Sequence, residues 1–323
     1  MSQGTTTLQK RPIDDPQTWD QTVKELPQSH VLQSWAWGAF KERHGWRAQR
    51  WLWESGGEPR AGATVLSRSI RGLPLRVMYV PKGPALDPTD GPLLTQVLSD
   101  LEHLARSQRA LFIKIDPDIR ADTAMGEGAV DLLEQRGWQF SPEQIQFRNT
   151  LCIDLTPDLD EIMSDMKSKW RYNIRLAKRR GVNVREGDVE DLALLYDMYA
   201  ETSQRGDFVI RPEAYYQDAW GNFIEAGLAQ PLIAEFEEEP VAMVIIYRFG
   251  PRAWYMYGAS RTTHREHMPN HRLQWEAIRW AKAQGCEIYD MWGAPDKLDE
   301  SDPMWGVYRF KRGFGAEFVP HIG

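Results

Sequence analysis

Cysteine is nearly absent: Cys152 and Cys286 are the only two in 323 residues, far apart and each in an apolar, strand-like run. That excludes a disulfide framework and a cysteine-rich metal site, and reduced, buried thiols are expected. Long hydrophobic runs are missing as well. No stretch approaches the roughly 18 apolar residues needed to span a bilayer, and Met1 to Lys10 is polar, without the apolar core of a signal peptide. A cytoplasmic protein is the expectation. The chain has no Walker A lysine loop, no G-x-G-x-x-G and no G-x-S-x-G elbow, and its seven histidines show no metal-ligand spacing. No motif therefore points to covalent or metal-based catalysis, and neither a metal nor a cofactor is expected.

What is present describes an ordered globular protein: 42% hydrophobic residues, 26% charged, and 14 tryptophans. The length exceeds what one core usually supports, so two domains are expected. The formal net charge of -7 requires any nucleic-acid partner to use a local basic patch.

A weak internal duplication organises the chain. Ala48-Gln49 opens a β-prone run and Glu58-Pro59 follows ten residues later; Ala229-Gln230 and Glu239-Pro240 repeat the spacing. In each copy the Glu-Pro pair sits in a polar turn between two strands, as in a hairpin. A third strand follows, carrying Met78-Tyr79 or Met256-Tyr257, then an amphipathic helix. The first helix shows Leu94, Val97, Leu98, Leu101 and Leu104 at helical spacing, and the second starts after Pro269 and stops near Gly285. Each helix leads to a strand ending in Asp, at Asp116 and Asp290. Two α/β units built alike are expected. Between them, Thr156-Pro157 reads as the start of one helix running to Gly181, with Ile162, Met166, Trp170, Ile174 and Ala177 on one stripe.

That helix carries the first candidate site. Lys167 to Arg180 holds seven Lys or Arg, including Lys167, Lys169, Arg171, Arg175 and Lys178, and no acid. Such a run is either an ordinary solvated face or a surface for tRNA, a pyrophosphate or an anionic membrane, since clustered cations bind polyanions by counterion release. In Trp254 to Gly258, alternation predicts a strand with Tyr255 and Tyr257 on one face, for core packing or for a ligand. Arg211 and Tyr215 flank Pro212 at i, i+4 spacing, suited to a joint contact with a phosphate or carboxylate. Tyr308 and Phe310 alternate around Arg309 and Lys311, which predicts a strand carrying Lys311 off the apolar face.

The twin units resemble two tandem GNAT-like (acetyltransferase-type) domains, an α/β fold. The loops before the two helices, Asp87 to Pro92 and His264 to Arg272, lack the glycine pattern that cradles coenzyme A, which disfavours acyl-CoA as donor. Gln33 to Lys41, Tyr79 to Pro84, Lys167 to Val182, Trp254 to Ser260, Gln274-Trp275, Tyr289 to Gly293 and Tyr308 to Lys311, in this order, resemble the FemABX family. The resemblance covers about Ser29 to Gly315 and places one domain over 11–150 and a second over 151–311 with the basic helix at 159–180, the tail 312–323 packing back on the first. It implies transfer of Gly, Ala or Ser from aminoacyl-tRNA to the side-chain amine at position three of a peptidoglycan stem peptide, the acceptor being UDP-linked or lipid-linked. It also implies peripheral membrane association. Lys41 and Arg211 match phosphate-gripping positions, and Tyr215, Tyr255, Tyr257 and Phe310 match substrate-binding ones. Lys311 matches the lysine serving the transition state, and Asp116 a carboxylate considered as general base. Leu111 and Val209 depart from polar contacts that relatives carry, and Asp158 to Gly181 leaves no room for a coiled-coil arm, as in compact members. The rival readings are an N-acyltransferase of this fold acting on another amine, with an acyl-CoA donor, and a non-enzymatic module binding nucleic acid or a lipid surface.

Overall fold

A computed structural model describes residues 8–323 and divides the chain into two units, Met1–Arg148 with Pro320–Gly323, and Asn149–Val319. The first contains β1 (Leu8–Pro12), α1 (Pro16–Val23), α2 (Trp35–Arg43), β2 (Arg47–Ser55), β3 (Glu58–Ser69), β4 (Arg76–Val80), β5 (Ala85–Leu86), α3 (Gly91–Ser107), β6 (Ala110–Ile115) and α4 (Ala124–Gln135). Its sheet runs β1-β2-β3-β4-β6, with only the β4–β6 pair parallel along that path. The parallel pair is bridged by α3, whose leucine stripe is the reason the crossover packs: Leu94, Val97, Leu98 and Leu101 are all buried in one cluster with Ala63, Val65 and Met78. Each such side chain contributes roughly 1.5–3 kcal/mol on burial. Asp90 caps this helix by accepting from Leu93 N at 3.0 Å, with Pro92 in its first turn.

The distal end of the chain completes this unit. Ile322 belongs to the same cluster, Ile322 N donates to Ile119 O at 3.0 Å, and Ala121 N donates to Pro320 O at 2.8 Å. Residues 312–319 stay in the second unit, so only the last four residues of the expected tail pack on the first.

The second unit contains β7 (Thr150–Asp154), α5 (Leu159–Asp165), α6 (Ser168–Arg179), β8 (Asn183–Glu186), α7 (Leu192–Gly206), α8 (Glu213–Glu225), β9 (Ala229–Phe236), β10 (Glu239–Phe249), β11 (Arg252–Ser260), α9 (Pro269–Ala283), β12 (Ile288–Asp290), α10 (Trp305–Arg312) and β13 (Glu317–Val319). Its sheet runs β13-β7-β12-β11-β10-β9-β8, with only β11–β12 parallel. The duplication read from sequence is thus β2-β3-β4-α3-β6 against β9-β10-β11-α9-β12, with both Glu-Pro pairs opening the second strand of a bulged hairpin.

Two local expectations fail. The single helix from Thr156 to Gly181 is broken: Met166 is extended (ψ 148°), and the chain re-enters helix at Ser168. Asp158, in a capping box with Glu161, starts α5 two residues later than the Thr-Pro signal implied. The apolar stripe persists across the break, which is why periodicity alone does not reveal it. Second, Tyr308 to Lys311 is helical, not a strand: Trp305–Arg312 forms α10, and Lys311 is the buried member of its last turn.

Candidate active site

In the second unit, parallel pairing between β11 and β12 lasts only from Arg252–Ile288 to Trp254–Asp290. β12 ends there, while β11 continues to Ser260. The divergence opens a cleft of about 340 Å3, lined by Tyr255, Gly258 and Ser260 of β11, Gln274 of α9, and Phe310 and Lys311 of α10.

Lys311 is 5% exposed, and its Nζ donates to Gly293 O at 2.7 Å and to Trp292 O. Both acceptors belong to residues in the left-handed region, Trp292 at φ 52° and Gly293 at φ 54°, and this turn aims their carbonyls at the lysine. Asp290, 1% exposed, fastens it by accepting from Trp292 N at 2.8 Å and from Thr150 Oγ1. Burial pushes Lys311 down to about 7, opposed by the carboxylate of Asp290. As an amine it has two N–H groups for the two carbonyls and a lone pair left over. As an ammonium it keeps one further donor.

Tyr255 faces the lysine, whose Nζ lies 5.7 Å from the ring centroid, and hydrogen-bonds Gln274, which also accepts from Tyr289 OH at 3.0 Å. Burial raises the Tyr255 hydroxyl to about 12, so it is a neutral donor. Gly258 makes room for it, since a Cβ there would lie 2.6 Å from Tyr255 Cζ. The floor is held by a second contact of the same kind. Trp170 Nε1 donates to Phe310 O at 3.0 Å, Lys167 N donates to Gly313 O at 2.9 Å, and a Cβ at Gly313 would collide with the Trp170 ring. Phe310 packs edge-on to His271 and Phe314, and burial beside Lys169 pushes His271 down to about 4, leaving it neutral.

The tyrosine pair is a correction. Ile245 pairs with Tyr257 but Ile246 with Tyr255, so Met256 is an extra residue in a β-bulge. The bulge reverses the alternation and sends the tyrosines to opposite faces. Tyr255 meets α9 and α10, whereas Tyr257 meets Tyr199 of α7 and Tyr216 and Trp220 of α8 at 5.4–6.0 Å between centroids. On that second face Tyr215 lies T-shaped on Tyr216, and the exposed Arg211 guanidinium sits 5.2 Å from the Tyr215 ring. Arg211 precedes α8, so this contact is made from the loop. Tyr255, Phe310 and Lys311 are therefore brought together, and Tyr257, Tyr215 and Arg211 form a separate group.

In the first unit Asp116 follows β6 and is 3% exposed. Its oxygens accept from Tyr79 OH and from Lys82 N, each at 2.6 Å, and burial pushes it up to about 6. Beside it a buried charge cluster forms: Lys82 Nζ contacts Asp118 Oδ1 at 2.9 Å and donates to Phe147 O at 2.9 Å, with His321 Nδ1 3.5 Å from Asp118. Asp116 also borders a cavity of about 400 Å3 walled by Phe112, Lys114, Trp138, Phe140 and Ile322. Lys41, in the last turn of α2, stands 4.4 Å from the Trp37 ring and 5.1 Å from that of Phe40. Leu111 and Val209, at 63% and 99% exposure, stand in solvent.

Of the basic segment, Lys167, Lys169, Arg175 and Lys178 are exposed. Arg171 is half-buried and committed locally, donating to Ser164 O at 2.8 Å and to Met166 O, which closes the end of α5. Sequence reasoning missed Asp290 and Gln274 as supports of the cleft. The signal was present in Asp290-Met291-Trp292-Gly293, because an Asp ahead of a glycine turn is an acceptor for backbone amides.

The twin sheets with a diverging parallel pair define a GNAT-type fold, and a GNAT acetyltransferase domain model matches residues 164–312. The FemAB family model matches residues 15–235, and the chain belongs to the FemAB family. Among curated proteins it is 24% identical to the lipid II:glycine glycyltransferase of Staphylococcus haemolyticus (strain JCSC1435), over 95% of this chain and 90% of that one. The Staphylococcus aureus protein of the same name is 23% identical, with the same coverage. Among solved structures, that of FemX superposes with a TM-score of 0.89 at 23% identity, covering 98% of this chain and 96% of that one. A tandem GNAT protein from the clavulanic acid biosynthesis pathway gives 0.53 at 13% identity, with the same coverages.

Proposed function

We propose that this protein transfers glycine, alanine or serine from aminoacyl-tRNA to the side-chain amine at position three of a peptidoglycan precursor's stem peptide. The observation that carries the reading is Lys311, a buried lysine at the point where β11 and β12 part. The staphylococcal relatives, named for glycine transfer at lipid II, support it. No helix among the described residues is long and apolar enough to cross a membrane.

The chemistry needs little beyond placement. An aminoacyl ester is already activated, and holding amine and carbonyl in line supplies much of the rate. The amine attacks the ester carbonyl, the carbonyl oxygen becomes an oxyanion, and the ester C–O bond then breaks to release the tRNA hydroxyl. Lys311 as an ammonium spends two N–H groups on Trp292 and Gly293 and offers the third to the oxyanion. Tyr255 OH is a second, neutral donor on the same cleft. The proton shed by the amine ends on the departing tRNA oxygen, passed there by the substrate's own oxygens or by a carboxylate, for which Asp116 is the candidate. The exposed cations of α6 suit the tRNA backbone or an anionic surface.

Incubating the protein with glycyl-, alanyl- or seryl-tRNA and a UDP-linked or lipid-linked muropeptide, then weighing the product, tests this reading. One added residue on the position-three amine is expected. Acylation from acetyl-CoA in place of charged tRNA would select the rival acyltransferase.

A further inference from the structure

Outside the cleft, the single turn between β11 and α9 gathers side chains that sequence spacing does not connect. His264, Glu266 and His267 each present a donor atom, and these atoms all lie within 4.8 Å of one another. From the start of β10, Glu239 adds a fourth, its Oε2 3.6 Å from His264 Nε2; His267 Nε2 is 3.3 Å from Glu266 Oε1. We propose that His264, Glu266, His267 and Glu239 form a binding site for a zinc-like divalent transition-metal ion.

Two ligands at a tetrahedral angle, each about 2.0–2.1 Å from one zinc ion, stand about 3.3 Å apart. The two His–Glu separations already have that spacing. The donor atoms of His264, Glu266 and His267 lie within 4.8 Å of one another, and the carboxylates of Glu266 and Glu239, 69% and 72% exposed, can swing toward a shared ion. The imidazoles are less free. Phe236 of β9 packs against both, 4.9 Å from His264 and 4.0 Å from His267 between centroids. Two imidazoles and two carboxylates favour zinc, cobalt or nickel over magnesium and calcium, which prefer all-oxygen sites. Arg265 lies within the turn, and Arg180 Nη1 donates to Glu266 O, so positive charge at the rim weakens the site relative to a closed structural one. The ordinary alternative is two separate surface His–Glu contacts. The turn leads directly into α9, which carries Gln274, and Arg265 itself borders the Lys311 cleft. A bound ion would stiffen that rim without touching the reacting atoms.

The test uses untagged, full-length protein stripped with chelator. Calorimetric titration with zinc chloride should show one equivalent bound, and cobalt should give the intense visible bands of a four-coordinate ion. The double variant His264→Ala/His267→Ala should weaken zinc at least about tenfold, since metal affinity tracks ligand count, and Glu239→Gln should weaken it less. His103→Ala, on α3 and remote from the cluster in sequence, should bind as wild type. Circular dichroism on each variant separates lost binding from lost fold. Absence of zinc uptake by the wild type, or uptake unchanged in a folded double variant, overturns the proposal.

Discussion

Replacing Lys311 with methionine tests both the burial of the lysine and its part in transfer. The side chain is 5% exposed, and its pKa falls from 10.5 to about 7. Between those values the unfolded chain holds a proton that the folded chain has released. Stability then rises with pH across that window, by up to ~1.4 kcal/mol per unit for one group. Methionine abolishes this term, so urea midpoints of the two proteins should diverge as the pH goes from 7 to 10, the wild type gaining. At pH 7 the variant also leaves the carbonyls of Trp292 and Gly293 without their donor. An orphaned buried carbonyl costs ~1–3 kcal/mol, offset in part by no longer burying a charge-bearing group. In single-turnover transfer with saturating charged tRNA and precursor, the rate should fall roughly 10²–10³-fold, the loss typical of one oxyanion donor. Substrate binding should change far less. Parallel pH–stability curves refute the depressed pKa, and near-normal single-turnover chemistry refutes the oxyanion role.

Gly258→Ala should misplace Tyr255, because the new Cβ must clear a ring now 2.6 Å away, and should lower the transfer rate with little change in precursor affinity; an unaltered rate contradicts the packing argument. Asp116, raised from 3.8 to about 6, makes the folded chain hold the extra proton between those values, so wild-type stability falls as pH climbs through that window. Asp116→Asn should remove this slope in urea titrations, and should remove any acid limb near pH 6 in the rate profile if the carboxylate is the base. Arg211→Lys keeps the charge but loses the planar fork that lies against Tyr215, and a loss of about 1–3 kcal/mol in precursor binding is expected by calorimetry. Changing Lys169, Arg175 and Lys178 together to Gln should flatten the salt dependence of tRNA binding while leaving the melting temperature within a few degrees; an unchanged salt slope returns α6 to an ordinary solvated face.

The duplicated units were legible because a hairpin, a crossover helix and a parallel strand each leave a periodic trace, and the Glu-Pro turns supplied a second register mark. Residues whose position follows from one element were also readable, as with the buried stripe of α3. What sequence concealed depended on one residue in excess or on contacts made across the fold. Met256 is the clearest case: a period-two reading puts Tyr255 and Tyr257 on one face, and a single bulged residue separates them. The break at Met166 was hidden because the apolar stripe runs through it unchanged. Lys311 read as a strand residue since aromatics at 308 and 310 alternate, yet the same spacing fits a helical turn whose last position is swallowed by the carbonyls of Trp292 and Gly293. The His264–Glu266–His267 cluster owes its proximity to a three-residue 3₁₀ turn, flanked by left-handed His264 and Met268, which no spacing rule encodes.

The closing segment Pro320–Gly323 has a consequence for synthesis. The sheet and helices of the first unit are translated by residue 135, but the core to which Ile322 contributes stays open until Pro320–Gly323 has been made, after the second unit. The usual advantage of a two-unit chain, finishing the leading unit while the trailing one is still being made, is therefore forfeited here. The second unit is in the same position, because β13 closes the far edge of its sheet against β7, strands that bracket that unit in sequence. Neither unit can reach its final packing before β13 and Pro320–Gly323 have been made, and nascent chains arrested at residue 310 should be more protease-sensitive than the full chain.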